Sequence, residues 1–211
     1  MDKDIIRSCI DCASVSCNRG GTFPDFCLTT ENTDAEALDC ALDLYNDPEN
    51  HDMMIAAANI EYEYYCRMTR VEEVIEFAKR MNYKKLGIAT CAGLISESRI
   101  LAGILRSHGF EVFGVACKAG AVKKTAVGID PKCEEIGSSM CNPIYQAKRL
   151  NGEHTQLNII MGLCVGHDCL FTKYSDAPVT TLVAKDRVLG HNPAAALYTA
   201  NSYYKKLVKK D

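Results

Sequence analysis

The sequence predicts an α/β protein, built as a three-layer sandwich around a short parallel sheet of about four strands. In its second half, short apolar runs bounded by turn residues alternate with segments of helical period, which is typical of parallel sheets covered by helices on both faces. The first thirty residues instead hold cysteines, glycines and turn formers without an apolar period. We therefore expect a cysteine-rich metal-binding segment at 1–32, a helical connector packed on the core at 33–82, and an α/β domain at 83–211.

Three consecutive helices are expected in the connector. Thr33 and Glu36 have the spacing of a capping box and precede apolar residues at helical intervals. Pro48 suits the first turn of a second helix that runs to about Arg67. A second capping box, Thr69 with Glu72, opens the third helix.

Four short apolar runs predict the strands, at 84–90, 110–116, 156–163 and 177–184. Helices are expected at 96–109 and 143–152, and an irregular segment of roughly 25 residues lies between the second strand and the second of these helices. Asn192 before Pro193 has the pattern of a helix start, with asparagine as the N-cap.

Composition restricts the class of protein. The 211 residues carry a formal charge of −3, so we expect no nucleic-acid partner, and no apolar run approaches the length of a membrane span. The start, MDKDIIRSCI, lacks the apolar region of a signal peptide, which favours a cytoplasmic protein. Twelve cysteines in such a chain indicate metal ligands or reactive thiols rather than disulfides.

Four of these cysteines lie close together in the stretch CIDCASVSCNRGGTFPDFC, as Cys9, Cys12, Cys17 and Cys27. Zn²⁺ prefers four soft ligands in a tetrahedron, and the first two cysteines have the spacing with which a tight turn presents two sulfurs to one ion. An iron–sulfur cluster accepts the same ligands. Because a closed site leaves no position for a substrate, we expect a structural zinc site that stabilises a segment without a core.

A second set of cysteines follows the predicted strands. Cys91, Cys117 and Cys164 end the first, second and third strands, at the sheet edge where open α/β proteins bind ligands. Cys141 joins them if the irregular segment folds back over that edge. We predict that these four residues form a cofactor-binding site for an iron–sulfur cluster or a second metal. Alternatively the three strand-end cysteines are ordinary buried thiols.

One of these cysteines has the pattern of a nucleophile. In GLCVGHDC, Cys164 is followed by His167, which could serve as a base, a ligand or an anion contact, so Cys164 and His167 are the candidate catalytic residues of a thiol enzyme. Lys185, Asp186 and Arg187 follow the fourth strand at the same edge. Lys118, Lys123 and Lys124 follow the second strand, where they would stabilise thiolates or a small anion, or simply be solvated.

Several blocks are similar to a known family. The cysteine-rich start, GIATCAGLISESRILAGILRSHGFEVFGVACKAG, MCNPIYQAKRLN and GLCVGHDCLFTKYSDAPVTTLVAKDRVLGHNPAAALY resemble the DUF1847 family over essentially the whole chain. The resemblance implies metal binding through the N-terminal cysteines and no established activity. In the family pattern the positions of Cys91, Cys117, Cys141 and Cys164 are cysteine, whereas that of Cys169 is often serine.

Three functions remain open. The first is a metal-binding protein with a structural zinc site and a second cysteine site that supports redox or sulfur chemistry on a small molecule. The second is a non-enzymatic protein for metal storage, delivery or sensing. The third is a metal-free thiol enzyme that uses Cys164. No P-loop and no glycine-rich dinucleotide motif is present, so nucleotide binding has no direct support.

Overall fold

A computed structural model describes residues 6–208 and divides the chain into two compact units, with the boundary between Ala58 and Asn59. Its strands are β1 (Lys85–Thr90), β2 (Glu111–Ala116), β3 (Leu157–Met161) and β4 (Val179–Val183). The helices are α1 (Ser16–Arg19), α2 (Ala35–Asp43), α3 (Pro48–Tyr64), α4 (Arg70–Arg80), α5 (Ile95–Ser107), α6 (Pro143–Gly152), α7 (His167–Tyr174) and α8 (Ala194–Tyr198).

The sheet is parallel throughout, with the strand order β2-β1-β3-β4. Each strand begins and ends within two residues of its predicted position. β2 lies on one side of β1, and β3 lies on the other side. The carboxyl ends of β1 and β3 are therefore at the centre of the sheet, where loops converge.

Side chains on the two faces of the sheet form two separate cores. On one face, α4 and α5 pack against Leu86, Ile88 and Ile159. On the other face, α6 and α7 pack against Ala89, Val115 and Ile160. Because successive strand residues point to opposite faces, this alternation gives the helix–sheet–helix layers that the sequence predicts.

The helix starts are confirmed in part. Thr69 and Glu72 form the predicted capping box of α4, with the Thr69 amide 2.7 Å from Glu72 Oε2. The predicted box at Thr33 is wrong, because Asp34 is the N-cap of α2 and accepts a hydrogen bond from the Ala37 amide at 3.0 Å.

Asn192 is likewise not the cap that the sequence predicts. Pro193 occupies the N-cap position of α8, and no side chain caps that helix. The Asn192 backbone carbonyl accepts instead, from the Ala195 amide at 3.1 Å.

Over the described part of the chain, no helix combines the length and the apolar character needed to cross a bilayer.

Candidate functional site

The cysteines that follow the strands lie at the carboxyl edge of the sheet. The parallel ladder extends one residue beyond the strands: the Cys91 amide donates to the Met161 carbonyl at 3.0 Å, and the Cys117 amide to the Thr90 carbonyl at 2.8 Å. These bonds hold the two cysteines at adjacent positions of the edge. Cys164 follows β3 after Gly162 and Leu163, which are both buried.

The irregular segment folds back and brings Cys141 to the same edge. The Asn142 amide donates to the Cys117 carbonyl at 2.8 Å, which joins the two ends of the segment. Within it, Lys123 and Ser139 form an isolated antiparallel bridge, and Lys118 Nζ donates to the Ser139 carbonyl at 2.5 Å. The condition that the sequence left open for Cys141 is therefore met.

Cys117 is at the centre of the sulfur contacts. It is 3% exposed and belongs to the core on the α6 and α7 side, where Cys91 and Cys141 pack against that core. The pKa of Cys117 is raised to about 11, chiefly by burial and also by the neighbouring Cys141 and Cys91, although a hydrogen bond from the Ala92 amide, 3.3 Å from the sulfur, acts to lower it. Cys117 is therefore a protonated thiol at neutral pH.

Two cations contact the other sulfurs of this group. Partial burial acts to raise the pKa of Cys91, but the Lys185 ammonium and the Gly93 amide, 3.4 Å from the sulfur, outweigh it and the pKa is lowered. Arg187 donates to the Cys164 sulfur at 3.0 Å, and this contact raises the pKa of the guanidinium. Cys91 and Cys141 interact with the same guanidinium electrostatically. Positive charge beside sulfur favours thiolates.

These contacts define the edge cluster, which we use for the four cysteines that share this edge: Cys91, Cys117, Cys141 and Cys164. Cys117 contacts both Cys91 and Cys141, and Arg187 interacts with Cys164, Cys91 and Cys141. Cys133, in the irregular segment, is half-buried, and Cys169, on α7, is exposed.

His167 begins α7, and its amide donates to the Cys164 carbonyl at 2.9 Å. Burial lowers the pKa of His167, as do the nearby charges of Lys118 and Arg187, while Asp168 acts in the opposite direction. The imidazole is therefore neutral at pH 7 and has a nitrogen lone pair to offer. In the described structure no hydrogen bond joins this ring to the Cys164 sulfur.

The N-terminal cysteines have a different environment. Cys9 and Cys17 are exposed, while Cys12 and Cys27 are half-buried. Hydrogen bonds to the Ser14 hydroxyl, at 3.4 Å, and to the Val15 and Ser14 amides lower the pKa of Cys12. No group of three or more His, Cys, Asp or Glu side chains between residues 6 and 208 is arranged to hold a metal ion, here or at the edge cluster.

Two residues near the edge cluster are absent from the sequence-based prediction. Gln146 of α6 is fully buried, and its Nε2 donates to the carbonyls of Thr90 and Val115 at 3.0 and 2.7 Å. Gly162 has φ of +67°, and a Cβ there would lie 2.2 Å from Leu94 Cδ1 and 3.5 Å from Lys185 Cε. A glutamine beside Ala147 and near Leu150, on the apolar face of a helix, is the signal that could have identified the first.

His191 and Asp186 form a turn rather than part of the edge cluster. Asp186 Oδ1 accepts from the Val188 and Leu189 amides at 2.9 and 2.8 Å, and the Asp186 amide donates to His191 Nδ1 at 3.1 Å. This turn fixes the backbone on either side of Arg187.

The sequence matches the model of a family described as a protein of unknown function, DUF1847, over residues 27–182. The chain belongs to the DUF1847 family. It is also 47% identical over 183 residues to an uncharacterised protein of Methanocaldococcus jannaschii, an alignment that covers 87% of this chain and 94% of the relative. Neither description assigns an activity.

The range matched by the DUF1847 model is informative about the two sets of cysteines. It contains all four residues of the edge cluster, but it begins at Cys27 and so leaves out the other three N-terminal cysteines. It also ends before Lys185 and Arg187. The family match therefore centres on the domain that holds the edge cluster.

Proposed function

We propose that this DUF1847 protein binds a soft metal ion or an iron–sulfur cluster through the edge cluster. The observation that supports this most strongly is that four cysteines, from three connecting segments, lie at one edge of a parallel sheet with two cations against their sulfurs. Such edges are the usual ligand sites of α/β folds.

The chemistry of the donor set fits such a group. Cys117 contacts two other thiols, so these sulfurs cannot all ionise together unless a cation lies among them. A soft cation supplies that charge and binds thiolate directly. Lys185 and Arg187 would offset the net negative charge that four thiolates leave on the complex. Cys117 contacts Cys91 on one side and Cys141 on the other, so these sulfurs form a line rather than surrounding a common point. Metal binding therefore requires the thiols to rotate about their side-chain bonds.

Exposure suggests the side from which a small molecule would approach. Cys117 is buried, Cys164 is half-buried, and Arg187 is exposed. A cluster at this site would supply electron transfer, and a metal with an open position would polarise a bound molecule. In this proposal Arg187 would orient an anionic group on the exposed side, and the neutral His167 would accept a proton there.

Elemental analysis tests the proposal. Protein purified without oxygen should contain about one equivalent of metal or cluster at the edge. That equivalent should persist in a Cys9→Ser, Cys12→Ser variant and be lost in Cys117→Ser and Cys141→Ser variants. Cys133→Ser and Cys169→Ser serve as matched controls. Acid-labile sulfide and visible absorbance separate a cluster from a single ion, and equal metal content in the edge and control variants would refute the site.

We further propose a structural zinc site formed by Cys9, Cys12, Cys17 and Cys27. Support comes from the lack of a core: between residues 6 and 34 the structure has one buried residue, Ser16, whose hydroxyl donates to the Thr22 carbonyl at 2.7 Å. The bonds that lower the Cys12 pKa also favour a thiolate ligand. Loss of zinc from the Cys9→Ser, Cys12→Ser variant, with the edge equivalent retained, is the expected result.

A metal-free thiol enzyme is the second candidate, and the contact of Arg187 with the Cys164 sulfur at 3.0 Å favours it. It predicts that alkylation labels Cys164 faster than any other cysteine of the edge cluster. Labelling of Cys91 at an equal or higher rate would remove its basis. The storage or delivery function predicts instead that metal exchanges at physiological concentrations.

A further inference from the structure

A cleft lies between α5 and the edge strand β2, on the face of the sheet that α4 and α5 cover. Its volume is about 470 Å³, within the range of small-molecule sites. The cleft is lined by Ile88, Thr90, Ile95, Ser98, Arg99, Ala102, Arg106, Val112, Gly114 and Ala116.

The small residues of β2 explain why this space is open. Gly114 pairs with Ile88 and Ala116 pairs with Thr90, so the edge strand presents little volume beneath α5. A Cβ built at Gly114 would meet nothing closer than 3.8 Å, the distance to Ile88. On the helix, Ala102 is equally small. The floor of the cleft, at Ile88, Ala102 and Gly114, is therefore open and lined by apolar groups.

Two arginines stand on the helical side of the cleft. Arg99 and Arg106 are seven residues apart, on one stripe of α5, with Ala102 between them. Arg106 donates to the Val112 carbonyl at 3.2 Å, which fixes its position beside β2. Across residues 6–208, neither guanidinium forms an ion pair with a carboxylate. Both arginine side chains are exposed, whereas Ser98, Leu101 and Leu105 are the buried residues of α5. The two guanidinium groups therefore stand on the solvent side of the cleft, where a ligand can reach them.

The inner end of the cleft is polar. Ser98 and Thr90 are 5% and 2% exposed, and the Ser98 hydroxyl donates to Thr90 Oγ1 at 2.6 Å. Thr90 Oγ1 donates in turn to the carbonyl of Cys91 at 3.0 Å. The hydroxyl pair thus lies one residue from the cysteines.

We propose that this cleft binds a small organic anion. Arg99 and Arg106 hold its carboxylate or phosphate group, and the apolar floor of Ile88, Ala102 and Gly114 accepts its body. A guanidinium pair recognises either anion through charge-assisted hydrogen bonds. The site is separate from the edge cluster and does not depend on the metal proposed there.

Titration of the ¹⁵N-labelled chain with phenyl phosphate, benzoate and inorganic phosphate tests this site. We expect saturable shifts around the cleft with phenyl phosphate or benzoate, at a Kd below about 1 mM, and weaker binding of inorganic phosphate, which has no apolar body. The tighter of the two aromatic probes identifies the anionic group.

Variants locate the binding. Arg99→Gln combined with Arg106→Gln should weaken it at least about tenfold, and Gly114→Val, which fills the floor, should do the same without changing charge. Lys148→Gln combined with Lys173→Gln removes two exposed charges from α6 and α7 and should leave it unchanged. Metal content should be equal in all of these variants. Equal affinity in the cleft and control variants, no saturable binding, or inorganic phosphate binding as tightly as phenyl phosphate would overturn the proposal.

Discussion

The N-terminal cysteines and the edge cluster contrast in sequence and in structure. Cys9, Cys12, Cys17 and Cys27 lie within nineteen residues but are exposed or half-buried, and the bonds around them are local ones to backbone and hydroxyl groups. The members of the edge cluster are spread over more than seventy residues, yet their sulfurs share contacts and cations. Spacing along the chain identifies cysteines that are able to bind one ion, whereas the topology of the sheet decides which thiols are close enough to change one another's pKa.

Thiol reactivity offers the largest test of this contrast. In reduced, metal-free protein, iodoacetamide at about pH 8 should label Cys9 and Cys17 at least about 100-fold faster than Cys117, because a thiol with a pKa of about 11 ionises rarely at that pH and this one is also buried. Peptide mass spectrometry over time gives each rate. Rates for Cys117 within a few-fold of those for Cys9 would show that the edge is open to solvent.

A matched pair of glycines compares the stability of the two regions. Gly162 and Gly20 have similar left-handed φ values of +67° and +73°, but a Cβ at Gly162 would collide with Leu94, whereas one at Gly20 has nothing within 4 Å. Gly162→Ala should cost about 3 kcal/mol, from strain and overpacking together. Gly20→Ala should cost about 2 kcal/mol from strain alone, because its ψ of 171° belongs to a region that is almost restricted to glycine. Urea denaturation measures both. Similar losses in the free energy of unfolding would mean that the side chains of Leu94 and Lys185 move aside at little cost.

Removal of a cation should change the pH dependence of the edge cluster. Lys185 lowers the pKa of Cys91 in the folded chain, so the pair adds stability above the ordinary thiol pKa, and that stability is lost as the pH falls through the lowered one. Lys185→Met should therefore raise the pH midpoint of Cys91 alkylation and destabilise the protein more under alkaline conditions than near pH 6. The Lys173→Met variant is the control. An unchanged midpoint would show that Lys185 does not lower the pKa of Cys91.

The smallest effect is expected in the N-terminal segment. Ser14→Ala removes the hydroxyl that lowers the pKa of Cys12 most, so the alkylation midpoint of Cys12 should rise slightly. Because that thiol is exposed to screening by water, the free energy of unfolding should not change measurably. Ser202→Ala, at a distant exposed position, is the comparison. A clear loss of stability would indicate that this segment is held by more than local bonds.

The strands were predictable because each is a short apolar run bounded by turn residues. Most helices were predictable because their apolar residues recur at helical spacing. The position of the strand-end cysteines followed from the parallel arrangement. The pairing of each sulfur with a cation was not predictable. Lys185 and Arg187 project from a turn, and hydrogen bonds of Asp186 and His191 determine the shape of that turn. The partners of Gln146 were not predictable because they are backbone carbonyls, although the place of this glutamine on the apolar face of α6 was a sequence signal for a buried polar role.

Helix caps show the same limit at short range. Thr33 and Asp34 are adjacent, and both residue types cap helices, so the spacing to Glu36 favoured the first. In the structure the Thr33 hydroxyl donates to the carbonyls of Leu28 and Thr30, at 2.8 and 2.7 Å, which leaves the cap to Asp34.

The chain from Cys117 to Asn142 starts and finishes at one point, because the Asn142 amide bonds to the Cys117 carbonyl at 2.8 Å. Its far side is open to solvent: Ile136 is 88% exposed, and Gly137 has no heavy atom within 4 Å of the place where a Cβ would stand. A fluorescent domain inserted between these two residues would leave the sulfur positions intact, since closed surface loops tolerate added length. An optical reporter attached at this point of the loop would provide a readout, inside living cells, for the metal binding that we propose.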